Sequence, residues 1–103
     1  MENNFNQLTP AEAERLAMLA EEAAEVIQVI GKILRHGYES SHPNRVTTNR
    51  EDLQSEIADF QNVCWAMEGS GDIDKDKIEW AAKRSFLRKA RYTHHQEEWK
   101  DDG

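Results

Sequence analysis

A single cysteine, Cys64, is all the thiol the chain has, so no internal disulfide can brace the fold and a reducing, cytoplasmic setting is expected. Long apolar runs are missing as well. None approaches the roughly 20 residues that span a bilayer, and the polar, acidic opening Met1-Glu2-Asn3-Asn4 is unlike a secretory leader. Repeats, low-complexity tracts and linkers are absent, which predicts one domain over residues 1–103, with its core at about 10–92 and a polar tail at 94–103. Excess positive charge is lacking: 13 basic residues against 20 acidic ones leave a net charge of −7, which argues against a general nucleic-acid or membrane surface and suits a protein that gathers carboxylates around cations. With 38% apolar residues the chain is polar yet short of disorder, and so thin a core implies apolar surface buried against a second subunit.

What is present reads as helix. Thr9-Pro10-Ala11-Glu12 has the pattern of a capping box with proline at the first helical position. Apolar residues then recur with helical period at Leu16, Leu19, Ala20, Ala23, Val26, Ile27, Ile30 and Leu34, and the helix is expected to stop near Gly37. Residues 37–47 carry Gly, Ser, Pro and Asn and read as a loop. A second capping box, Thr48-Asn49-Arg50-Glu51, opens a helix with the stripe Leu53, Ile57, Phe60, Cys64 and Met67, ended by Gly69-Ser70-Gly71. Asp72 or Asp74 caps a third helix bearing Ile78, Ala82, Phe86 and Ala90. Trp65 and Trp80 are expected in the core or at a subunit interface. No segment reads as a β-strand.

Two acidic clusters lie on the first two helices. An acidic run on a helix is ordinarily a solvated face, but angular position separates the members of Glu21-Glu22-Ala23-Ala24-Glu25. At about 100° per residue, Glu21 falls outside the apolar arc, Glu22 lies inside it within about 20° of Val29 and Ile33, and Glu25 sits at its edge. A carboxylate on the apolar side is costly unless something neutralises it. On the second helix Glu56 and Asp59 flank the stripe, about 60° and 120° from its centre. If the two helices pack antiparallel, all four acids share one seam, where mutual repulsion would push their pKa values up. A hard divalent cation resolves that conflict. Di-iron bundles need Glu-x-x-His on their helices; the only such spacing here is Glu39 to His42, in the loop before Pro43. An all-oxygen donor set favours Mg²⁺, with Mn²⁺ as a substitute.

Glu-Glu-x-x-Glu at Glu21, Glu22 and Glu25, followed on the next helix by Glu-x-x-Asp at Glu56 and Asp59, resembles the motif of the all-α nucleoside triphosphate pyrophosphohydrolases, the MazG-like superfamily, over roughly residues 10–92. The loop between the motifs is long for a minimal member. The resemblance implies an antiparallel helical bundle completed by homodimer or homotetramer formation. It implies hydrolysis of a (deoxy)nucleoside triphosphate to monophosphate and pyrophosphate, as in nucleotide-pool control. Glu22, Glu25, Glu56 and Asp59 would be the metal ligands, and Glu21 would support them or orient the attacking water. Phosphoribosyl-ATP pyrophosphohydrolase is a rival within the same superfamily. A non-catalytic helical adaptor is the rival outside it, and Glu22 inside the apolar arc argues against that adaptor.

Cations gather late in the chain. Arg84, Arg88 and Arg91 share a helix face and Lys83 sits apart; they either pair with acidic neighbours as a solvated face or reach the outer phosphates, with Lys83, Arg84 and Arg88 the candidates. Arg35, His36, Tyr38 and His42 surround the loop, where an aromatic could stack on a base or simply close the loop. His94 and His95 are adjacent and point apart on a helix, which makes them a poor site.

Overall fold

The computed structural model describes residues 5–99; the polar opening Met1–Asn4 and the end of the tail, 100–103, lie outside the described residues. The protein is all-α, with three helices, α1 (Pro10–His36), α2 (Asn49–Ser70) and α3 (Lys75–Ala90), and a 3₁₀ turn at Glu97–Trp99. It divides into two compact units, Met1–Asp72 and Ile73–Gly103. No helix among the described residues is long and apolar enough to cross a membrane.

Both expected capping boxes form. The Glu12 amide donates to Thr9 Oγ1 at 3.1 Å while Glu12 Oε1 accepts from the Thr9 amide at 2.8 Å. Thr48 and Glu51 repeat the exchange at 3.1 Å in each direction. Helix α2 ends in a Schellman motif: Gly71 is left-handed (φ 85°), its amide reaches Glu68 O, and the Asp72 amide reaches Met67 O. Asp74, one of the two expected caps, opens α3 by accepting from the Lys77 amide at 3.0 Å.

In the first unit α1 and α2 pack against each other as an antiparallel hairpin. Arg15, near the start of α1, grips Asp72, just past the end of α2, through two hydrogen bonds of 2.6 and 3.0 Å. At the other end the Asn49 amide group donates to Gly37 O at 3.1 Å. Buried and half-buried residues mark the seam: Leu19, Glu22, Val26, Val29 and Ile33 on α1, Asn49, Leu53, Glu56, Phe60, Val63 and Met67 on α2. Their alternating three- and four-residue steps are those of two helices meeting along a coiled-coil-like line. Of these, Val29, Asn49, Val63 and Met67 are buried.

The seam on α2 is rotated from the expected stripe. Val63 is buried, whereas Ile57 is 41% exposed and Cys64 only half-buried. Helix α1 carries a second apolar line, Leu16, Ile27, Ile30 and Leu34, about 90° around from the seam; all four are exposed, Leu34 to 81%. Trp65 and Trp80, expected in a core or an interface, are exposed at 61% and 62%, so neither packs in the interior of the chain.

The 37–47 loop is tightly tied. Arg50 and Asn49 amides donate to Tyr38 O and Ser40 O, and Thr47 Oγ1 donates to Asp52 at 2.6 Å. The Arg50 guanidinium lies 4.3 Å from the Tyr38 ring centroid and pairs with Glu39 at 2.6 Å. Tyr38 thus serves to close the loop. In the second unit Phe86 and Trp99 meet with ring centroids 5.6 Å apart, which folds the C-terminal 3₁₀ turn back onto α3; α3 itself ends at Ala90, before His94 and His95.

Candidate metal centre

The seam places carboxylates where a helix pair ordinarily buries aliphatic side chains. Glu22 follows Leu19 by three residues and precedes Val26 by four; Glu56 stands between Leu53 and Phe60 in the same way. Both are half-buried, and Oε2 of each is shielded from solvent and accepts from no donor, its neighbours in the cluster being other carboxylates. An unpaired buried carboxylate oxygen is among the costlier features a small fold can carry.

Glu22, Glu56 and Asp59 converge: each offers an oxygen within 4.8 Å of the others. The electrostatics record the crowding. Burial pushes the Glu22 carboxyl above its ordinary range, with further pressure from Glu25, Asp59 and Glu21. Glu56 is raised first by the Glu25 carboxyl, close enough to share a proton with it, then by burial and by Asp59 and Glu22. Four carboxylates from two helices therefore interact in one cluster, as the spacing of the two motifs implied. Glu25 is half-buried beside it, Asp59 is exposed at its rim, and Glu21 is exposed, acting on Glu22 through space.

Does this donor set suit a divalent cation? The available donors are all carboxylate oxygens, two of them shielded and facing no hydrogen-bond donor, and among the described residues no histidine or cysteine joins the cluster. That chemistry fits a hard ion such as Mg²⁺ or Mn²⁺ and gives nothing to a softer one. Asp59, being exposed, leaves one side of the cluster open to a ligand from solution.

The expected phosphate contacts lie in the second unit. Arg84, Leu87, Arg88 and Arg91 line a shallow groove along α3, and the Arg84 guanidinium lies 4.7 Å from the Trp80 ring centroid. Lys83 is exposed and outside that groove. A cationic cavity in the first unit joins Lys32, which is not singled out from the sequence, to Arg35, His36 and His42 around the loop. The spacing of seven between Lys32 and Glu25, which puts both on one helix face, was the available signal.

Comparison with protein-family models, with curated proteins and with solved structures finds no match to this chain.

Proposed function

We propose that the protein is a Mg²⁺-dependent nucleoside triphosphate pyrophosphohydrolase, cleaving a (deoxy)nucleoside triphosphate to monophosphate and pyrophosphate. The observation that carries this reading is the pair of shielded carboxylate oxygens of Glu22 and Glu56 at seam positions, which accept from no donor and converge with Asp59. A fold that needed only stability would place leucine at both.

In this reading Glu22, Glu56 and Asp59 hold the cation and Glu25 completes the set. Bound there, Mg²⁺ supplies the charge that lets an acidic site accept a triphosphate, and it lowers the pKa of bound water. The open rim beside Asp59 admits the phosphates. Glu21, exposed next to Glu22, orients the attacking water. Arg84 and Arg88, on the groove of α3 in the second unit, offer charge-assisted, bidentate-capable guanidinium bonds to phosphate. The bare line Leu16, Ile27, Ile30 and Leu34 packs against a second copy, giving a homodimer or homotetramer that surrounds each acid cluster with more helices.

The test is pyrophosphate release across the common nucleoside triphosphates and phosphoribosyl-ATP, with Mg²⁺ and with EDTA. Glu56→Gln keeps the size of the side chain and removes its charge; turnover is expected to fall at least about a hundredfold with helical content retained. Full turnover in that variant removes Glu56 from the site, and no metal-dependent hydrolysis of any substrate leaves a helical adaptor. Sedimentation of a pure 11.9 kDa monomer at micromolar concentration rejects the assembly.

A further inference from the structure

Where α1 ends and the 37–47 loop returns to α2, a cavity of about 300 Å³ is lined by Lys32, Arg35, His36 and His42, with the loop serines and Asn49 completing its wall. Every ionisable group in that lining is a cation or an imidazole. Basic residues on the last turn of a helix complement its dipole, which accounts for Arg35 and His36. It does not account for Lys32, a turn earlier; His42, in the loop, accepts from the Asn44 amide through Nδ1 at 3.1 Å and presents its other edge. Lys32 and Arg35 make no hydrogen bond or ion pair among the described residues. Asp52, the acid whose field reaches Lys32, is already engaged by Thr47 and Arg45. The cavity is also a built one: Asn49, 6% exposed, pins Gly37 O, and the Asn49 and Arg50 amides are spent on Ser40 O and Tyr38 O. With those first amides of α2 occupied, an anion here must be held by the side chains.

We propose that this cavity binds a phosphate or pyrophosphate group through Lys32 and Arg35, with His36 and His42 beside it. A compact, multiply charged anion is the ligand that fits: the recess gathers its cations within about 300 Å³, and the chain's net charge of −7 disfavours an extended polyanion. The site is distinct from the acid cluster, since Lys32 stands seven residues, or about 10 Å, along α1 from Glu25. It needs no metal, so its failure and that of the proposed hydrolase are separable.

Titration calorimetry of the full chain with inorganic pyrophosphate, in EDTA, is the test. Saturable binding is expected, weakened about tenfold by Lys32→Ala and again by Arg35→Ala, while Arg35→Lys retains part of it. Circular dichroism confirms that each variant keeps its helices. Two arms identify the source of the phosphate, and both uphold the site. In a parallel titration without EDTA, displacement of pyrophosphate by a Mg²⁺-bound, non-hydrolysable triphosphate assigns the cavity to outer phosphates of that molecule; simultaneous binding assigns it to a separate phosphorylated ligand. Absence of saturable binding in EDTA, or equal affinity in wild type, Lys32→Ala and Arg35→Ala, overturns the proposal.

Discussion

Replacing Glu56 with leucine should make the metal-free protein more stable and blind to magnesium. The position lies between Leu53 and Phe60 on the seam and is half-buried. Burying a leucine side chain fully contributes about 1.5–3 kcal/mol, so a half-buried one contributes near 1 kcal/mol. Relief of repulsion from Glu25, Asp59 and Glu22 adds to that. For a chain of this size, about 1 kcal/mol raises the Tm by roughly 4–8 °C. The response to metal runs the other way. At a Mg²⁺ concentration about a hundred times its Kd, the wild type should gain about 2.7 kcal/mol, and Glu56→Leu should gain almost none. Thermal and urea unfolding followed by circular dichroism, in EDTA and in Mg²⁺, measures both effects. A variant that melts below the wild type in EDTA, or that responds to Mg²⁺ as the wild type does, refutes the idea that Glu56 is kept for a cation at the expense of packing.

Three further outcomes follow from particular contacts. The raised carboxyls of Glu22 and Glu56 bind protons more tightly in the folded chain than their ordinary value of 4.5 allows. Their contribution therefore stabilises the metal-free fold below that pH and is lost as pH rises toward the raised values, so the stability gain of Glu56→Gln over wild type in EDTA should open as pH climbs from about 4.5. Asp72 has the opposite sign: Arg15 holds its carboxyl below the ordinary 3.8, and its contribution is present above that value and lost as pH falls through the depressed one. Asp72→Asn should lower the urea midpoint at neutral pH and converge with wild type in acid; equal midpoints at pH 7 would show the Arg15 pair to be inert. On the groove of α3, Arg88→Ala should cut kcat/KM on triphosphates about tenfold with Mg²⁺ affinity unchanged, and steady-state kinetics that match the wild type would return that face to solvent.

Much of this was legible in the sequence because short-range chemistry decides it. Thr9 with Glu12 and Thr48 with Glu51 announce two helix starts, Gly37 and Gly71 mark two ends, and each signal acts within a turn of the chain. Glu22 stood out because the apolar arc of α1 is broad enough to show a carboxylate within it. Glu56 was harder. The stripe drawn through Ile57 and Cys64 set it about 60° to one side, whereas the packed seam runs through Val63 and brings Glu56 onto the contact line. That rotation depends on which face α1 offers, which periodicity within α2 does not contain. The exposure of Trp65 and Trp80 was hidden for a related reason: hydrophobicity says that a side chain prefers cover, and only the fold says whether one chain provides it.

The carboxylates on the seam also bear on alignment. Slide α2 along α1 by seven residues and the aliphatic contacts nearly repeat, since Leu19, Val26 and Ile33 recur at the same interval as Leu53, Phe60 and Met67. Apolar packing alone would leave such slipped pairings close in energy, restrained chiefly by the ties of the loop and the Arg15–Asp72 clasp. The acids break that degeneracy, because only one alignment brings Glu22, Glu56 and Asp59 to a common point. A cation captured there would act as a ruler laid between the helices, rewarding the correct pairing and leaving every slipped one with stranded charge.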